Sequence, residues 1–276
     1  MNVVRAVPVV ALVLVACGDS TPITLHYHPQ PGSTFRYVMN QDLTMKGEGP
    51  QAGEAQTLGI RIAFTQTVKG PTEGGIEIGV RVDSVSMASP GLPPAAVSQA
   101  TEMLRGLESR LVFDEHMKVI SSEVSNAAGV PPQLANQIAS GLRGASFPLP
   151  DRPLKVGESW TVDMAAPTGL PGMSQPLQLH YEITLKEVKV TGADTVIRLG
   201  LETTFPKDPI PVSGQGGSGT IRMDGSMKGE QHFSITRGTI VHVELSGSLK
   251  VTTAGGLGDG SMSMQQRLGL ELLTSP

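Results

Sequence analysis

Few residues in this chain have the types and spacing that chemistry demands. Cys17 is the only cysteine among 276 residues, so neither a disulfide framework nor a Cys-rich metal site can form. His26-x-His28 brings two imidazoles close together, a spacing that could begin a metal site. No third His and no carboxylate stands near them, so we assign no metal. Asp114-Glu115-His116 has the residue types of acid–base chemistry, but it falls between two short apolar runs and reads as the polar tip of a hairpin. Gly214, Gly216 and Gly219 match G-x-G-x-x-G, yet Thr220 to Met223 alternates like a strand. A dinucleotide loop must run into a helix instead. G-x-x-x-x-G-K-S/T, H-E-x-x-H and G-x-S-x-G do not occur. His180 and His242 fall on the polar sides of alternating runs. We therefore assign no catalytic residue, no cofactor and no metal, and expect a non-catalytic protein.

The remaining chemistry belongs to Cys17 and to what precedes it. Met1 to Val4 with Arg5 forms a short positive segment, and Ala6 to Ala16 is an apolar run of 11 residues. A spanning helix needs about 20 residues, whereas a signal-peptide core needs about 7–15. The run ends Leu14-Val15-Ala16-Cys17. This resembles the lipobox of bacterial lipoproteins, in which an aliphatic and small residues precede the modified cysteine. The resemblance implies a diacylglyceryl group on the Cys17 thiol, cleavage between Ala16 and Cys17, and an acyl chain such as palmitate on the new N-terminus. Two or three acyl chains anchor stably where one does not. Gly18 rather than Asp follows the cysteine, which by the enterobacterial sorting rule favours the outer membrane, facing the periplasm. Residues 17–24 then read as a lipidated tether.

Composition narrows the rest. Charged residues are 17%, and the net charge is -4 with a sequence pI of about 5.9. Nucleic-acid-binding domains are usually basic, so that class is set aside. Aromatics are 4% while Met numbers 12, so the apolar faces are aliphatic and thioether-rich. Such surfaces suit flexible acyl chains, although Met also fills ordinary cores.

Most of the mature chain alternates with period two. Tyr37, Met39, Leu43 and Met45 share one face; Leu58, Ile60, Ile62, Phe64 and Val68 follow, then Ile76, Ile78, Val80 and Val82. This marks antiparallel strands with one covered face. The middle differs. Val97, Ala100, Leu104 and Leu107 recur at helical spacing after Pro93-Pro94, and Leu134, Ile138 and Leu142 after Pro131-Pro132. These predict helices over 94–108 and 132–143, flanking a hairpin, as an insert over 92–146. Strands resume after Pro150, and Ile221–Ile235, Val241–Val251 and Met262–Leu272 read as a meander. Pro31-Gly32-Ser33-Thr34-Phe35-Arg36-Tyr37 is echoed by Val156-Gly157-Glu158-Ser159-Trp160-Thr161-Val162, which suggests two related halves.

The lipobox, the Pro31-Gly32…Phe35…Tyr37 opening, and Phe147-Pro148-Leu149-Pro150 running into Lys155-Val156-Gly157-Glu158-Ser159-Trp160 together resemble a family of bacterial envelope lipoproteins of unknown function. That resemblance transfers no active site.

The expected protein has a signal peptide over 1–16, a tether over 17–24, and one β-rich domain over 25–276. Its fold class is α+β and β-dominated: a long curved antiparallel sheet, half-barrel-like, with two mid-chain helices. The favoured activity is binding an apolar ligand or lipid in the concave face. The alternative is a structural lipoprotein whose sheet docks envelope protein partners.

Overall fold

A computed structural model of the chain describes residues 21–48, 53–125, 147–165, 177–214, 217–255 and 259–273. The alternating runs become strands β1 Thr34–Glu48, β2 Gln56–Thr72 and β3 Gly75–Ala88. Helix α1 spans Pro94–Leu104, and the hairpin β4 Glu108–Phe113 and β5 Val119–Ser125 follows. The second set is β6 Ser159–Ala165, β7 Gln178–Thr191, β8 Asp194–Thr204, β9 Ile210–Gly214, β10 Gly217–Ser234, β11 Thr239–Gly255 and β12 Gly260–Leu273.

All twelve strands among the described residues join one antiparallel sheet in the order β5-β4-β3-β2-β1-β12-β11-β10-β8-β7-β6, with β9 continuing the edge of β10 beyond β8. The first and last strands are neighbours, paired from Arg36↔Leu273 to Glu48↔Ser261. In the hairpin, β4 pairs with β3 and extends the sheet. The helix predicted to Glu108 stops at Leu104. Gly106 turns the chain at φ +76°, Gly106 N donates to Val82 O and Val82 N to Leu107 O, so Leu107 enters the core instead of the helix. The helix expected over 132–143 lies outside the described residues.

The sheet curls. Edges β5 and β6 do not pair, yet one short segment reaches both sides. Leu149 N donates to His116 O in the β4–β5 turn at 2.7 Å, and Trp160 Nε1 in β6 donates to Pro148 O at 3.0 Å. Two extended segments, 23–29 and 147–154, lie in the mouth of this curl. They bridge at Ile23 and Leu154, whose backbones exchange two bonds of 2.8 Å, so Ile23 of the expected tether is already held by the body. Leu25, Tyr27, Phe147, Leu149 and Leu154 are buried there. Tyr27 packs on Phe113 at 5.4 Å between ring centroids and Phe147 on Tyr181 at 5.2 Å. This plug welds β2–β4 to β6–β8 in one core. Trp160 packs against it half-buried, rather than fully enclosed.

The sequence echo extends into backbone geometry. Gly32 and Gly157 both sit at positive φ, +83° and +93°. Gly32 N donates to Val68 O and Gly157 N to Leu185 O, while Val68 N and Leu185 N return bonds to Ser33 O and Glu158 O. The register then slips at matching places, after Val68 and after Leu185, and again before Phe113 and before Phe233. The turns that follow place Met117 at φ +62° and Gly238 at +60°. Strands β1-β2-β3-β4-β5 thus match β6-β7-β8-β10-β11 in neighbour order, and β12 fills the gap between the two runs.

Candidate ligand-binding face

Directly paired residues in a sheet point to the same side. One cross-strand row therefore runs Met87, Ile60, Gln41, Leu268, Leu245, Gly229, Leu201, Ile183, Trp160. Leu201 and Ile183 are buried at the plugged side, while Ile60, Leu268 and Leu245 remain half-exposed. Neighbouring rows include Met45–Met264–Leu249 and Met262–Val251–Met223. This inner face of β1, β2, β10, β11 and β12 carries no Asp, Glu, Lys, Arg or His. Five of its residues, Met39, Met45, Met227, Met262 and Met264, are half-exposed methionines. A surface of this kind presents hydrocarbon and soft sulfur to whatever lies against it, at about 25 cal/mol per Å² of apolar area covered.

The opposite face of the same strands is polar and laced with ion pairs. Lys250 meets Glu48 at 2.6 Å, Lys228 meets Glu202 at 2.8 Å, and Arg198 bridges Glu230 and Glu187 at 2.8 and 3.1 Å. The two described depressions, of about 490 and 530 Å³, lie on this outer side, lined by residues such as Arg198 and Asp194, and Lys228 and Arg267. On β1, β2, β10, β11 and β12 the half-exposed Leu and Met side chains thus lie inside the curl, while Leu273 alone of their Leu and Met residues is exposed outside. Helix α1 buries none of its residues and rests beside β3, so it does not cover that surface.

Glycines shape the floor. In three successive cross-strand pairs of β10 and β11 one member is glycine: Gly229 opposite Leu245, Gly247 opposite Met227, and Gly225 opposite Leu249. A Cβ on any of them would sit 1.9–2.3 Å from a carbonyl oxygen of the facing strand, so these positions tolerate no side chain. Such glycines let strands bend and approach closely. They also leave a strip of bare backbone between ridges of Leu and Met.

The residues singled out in the sequence are dispersed. Ala16 and Cys17 lie outside the described residues, as does Met173. His26 and His28 are exposed on the plug segment, and no group of three metal-binding side chains occurs among the described residues. Asp114-Glu115-His116 is the β4–β5 turn, with Asp114 Oδ1 accepting from the backbone N–H of His116 and Lys118 at 2.9 and 2.8 Å. His180 meets Asp163 at 2.8 Å on the outer face. His242 stacks obliquely on His232, also outside. Gly214 pairs with Gly217, and the run from Gly217 on is strand β10. Among the described residues, no helix is long and apolar enough to cross a membrane.

Two residues take on roles here that hydropathy and motifs do not assign. Tyr37 is 2% exposed, and burial pushes its phenol up to about 12. Gln231, fully buried on the inner face, has no hydrogen-bond partner at either amide atom among the described residues.

No protein-family model matches the chain, and no curated protein matches it either. A solved structure described as "Lipid-protein interactions in lipovitellin" matches its fold with a TM-score of 0.53 at 12% identity, over 90% of this chain and 26% of that one. The chain thus spans about a quarter of that protein's length.

Proposed function

We propose that this protein is a non-catalytic, lipid-anchored lipoprotein of the bacterial envelope, held at the outer membrane through Cys17, that carries an apolar ligand against the inner face of its curled sheet. One observation carries the ligand reading: the central strands expose an uncharged, Leu- and Met-rich face on the inside while their charges stand outside. Monomeric proteins rarely leave such a surface without a use for it. The fold likeness to a lipid-associated protein supports the same reading. The signal-like N-terminus and the Leu14-Val15-Ala16-Cys17 motif support the anchor. The inner face offers no carboxylate, imidazole or amine to do acid–base work, which favours binding over catalysis.

Two variants test the two parts. Leu268→Glu puts a charge on the half-exposed floor and should weaken displacement of a bound fluorescent apolar probe by tenfold or more, with folding intact by circular dichroism. Unchanged probe binding would place the ligand elsewhere. Cys17→Ser should abolish labelling by a palmitate analogue and release the protein from membranes; retained labelling would remove the anchor.

A further inference from the structure

Gln231 is 0% exposed, and neither its Oε1 nor its Nε2 has a hydrogen-bond partner among the described residues. Its register places it on the inner face, between Leu199 on β8 and Val243 on β11. A buried primary amide left unpaired is costly, so native structures rarely keep one without a purpose.

The internal repeat shows that the fold does not need it. Stepping outward by direct pairs, Val68 leads through Ile78 to Leu111, and Leu185 leads through Leu199 to Gln231. Phe113 and Phe233, each two residues further on, follow the matching register slips. Gln231 therefore occupies the position that Leu111, a buried core residue, fills in the first run of strands. One copy packs hydrocarbon there; the other presents an amide.

The surroundings define what the amide would meet. The next inner-face position on β10 is Gly229, which has no side chain. From there the glycine-containing pairs continue through Gly247 to Gly225, flanked by Leu245, Met227 and Leu249, with half-exposed Gln266 of β12 opposite Gly247. The buried amide of Gln231 thus stands at one end of a glycine strip walled mainly by Leu and Met. No cation faces it from the inner sides of β1, β2, β10, β11 or β12, so a carboxylate or phosphate would enter without compensation.

We propose that Gln231 receives the neutral, hydrogen-bonding head of a single-chain amphiphile, such as a long-chain alcohol or a protonated fatty acid, whose tail lies along the Gly229–Gly247–Gly225 strip. The amide N–H donates to the head's oxygen, and the amide carbonyl accepts the head's O–H. This rests on the apolar-binding reading above and names its ligand class.

The test compares 1-dodecanol with tridecane, which have equal numbers of heavy atoms, as displacers of 1-aminoanthracene from the full chain carrying Cys17→Ser. The wild-type protein should prefer the alcohol by about tenfold, the value of one well-made hydrogen bond in an apolar site. In Gln231→Leu the preference should fall to within about twofold, with tridecane binding unchanged. The ligand-free Gln231→Leu and Gln231→Met proteins should melt at or above the wild-type temperature, because each removes an unpaired buried amide. A preference that survives in Gln231→Leu overturns the proposal while leaving apolar binding intact. A large drop in melting temperature in both variants overturns it too, since the amide would then be structural. Failure of both probes to displace the fluorophore overturns the apolar-binding reading itself, and this proposal with it.

Discussion

Tyr37 Oη lies 2.5 Å from Thr239 Oγ1, a contact between residues 202 positions apart. The same hydroxyl donates to Ile240 O at 3.0 Å. Tyr37 belongs to β1 and Thr239 to β11, and β12 lies between those strands. The bond therefore spans the seam where the first run of strands meets the second. Its ring stacks on Phe64 of β2 at 5.2 Å, so one side chain ties four adjacent strands.

Tyr37→Phe keeps the ring and strips these bonds, leaving Thr239, itself 4% exposed, and Ile240 O without the phenol. We expect a loss of about 1–3 kcal/mol in urea unfolding. Thr239→Val should cost a similar amount, and the double variant should lose less than the sum of the two. Strict additivity would show that the hydroxyls do not couple.

The same burial makes stability depend on alkaline pH. The folded-state value for Tyr37 is raised to about 12 from 10.0, chiefly by desolvation, so the folded protein holds its proton where the unfolded chain releases it. Sign follows directly: the contribution is complete below pH 10 and is lost as pH rises toward 12. Tyr27 is shifted in the same direction by the same cause. Denaturant midpoints should fall steeply from pH 10 to 12, and Tyr37→Phe should flatten the fall. An identical slope in the variant contradicts the assignment.

Gly229→Ala tests the bend. The added methyl would lie 1.9 Å from Glu244 O, a backbone atom that cannot swing aside. We expect a cost of about 3 kcal/mol or more. Gly32→Ala meets no atom within 4 Å and suffers only its positive φ of +83°, so about 1–2 kcal/mol is expected there. Equal effects at both sites would show that strand approach is not what selects Gly229.

Trp160 reports on the plug. Its indole donates to Pro148 O at 3.0 Å and its ring rests half-buried on the core. Emission should shift to the red on unfolding, and Leu25→Ala, which hollows the plug, should cost about 2–5 kcal/mol and shift the folded spectrum the same way. A folded spectrum insensitive to Leu25→Ala would separate Trp160 from the plug.

Much of the sheet was legible because hydropathy alternates wherever one face is covered. Met262, Met264, Leu268, Leu270 and Leu272 declared their side in sequence, and the hairpin around Asp114-Glu115-His116 declared its tip. Other features have no hydropathy signature. Gly225, Gly229 and Gly247 fall within runs that read as strands, but only the register puts them opposite Leu249, Leu245 and Met227. Gln231 looks like any polar residue in a strand, and only the pairing to Leu199 and Val243 reveals that it faces inward. β9 carries Pro211 and ends at Gly214, which disguises a strand as a loop. Helix α1 was overextended because Leu107 continues the helical spacing, whereas Gly106 diverts it into the core.

If the inner face of the sheet holds an apolar ligand, that ligand should leave the cell with the protein. Organic extraction of the purified, natively expressed chain, followed by mass spectrometry of the extract, should yield a single-chain lipid at close to one equivalent per protein, absent from the extract of Leu268→Glu. An extract with no stoichiometric lipid, from a folded protein whose inner face is covered by a co-purifying protein partner, would contradict ligand binding there.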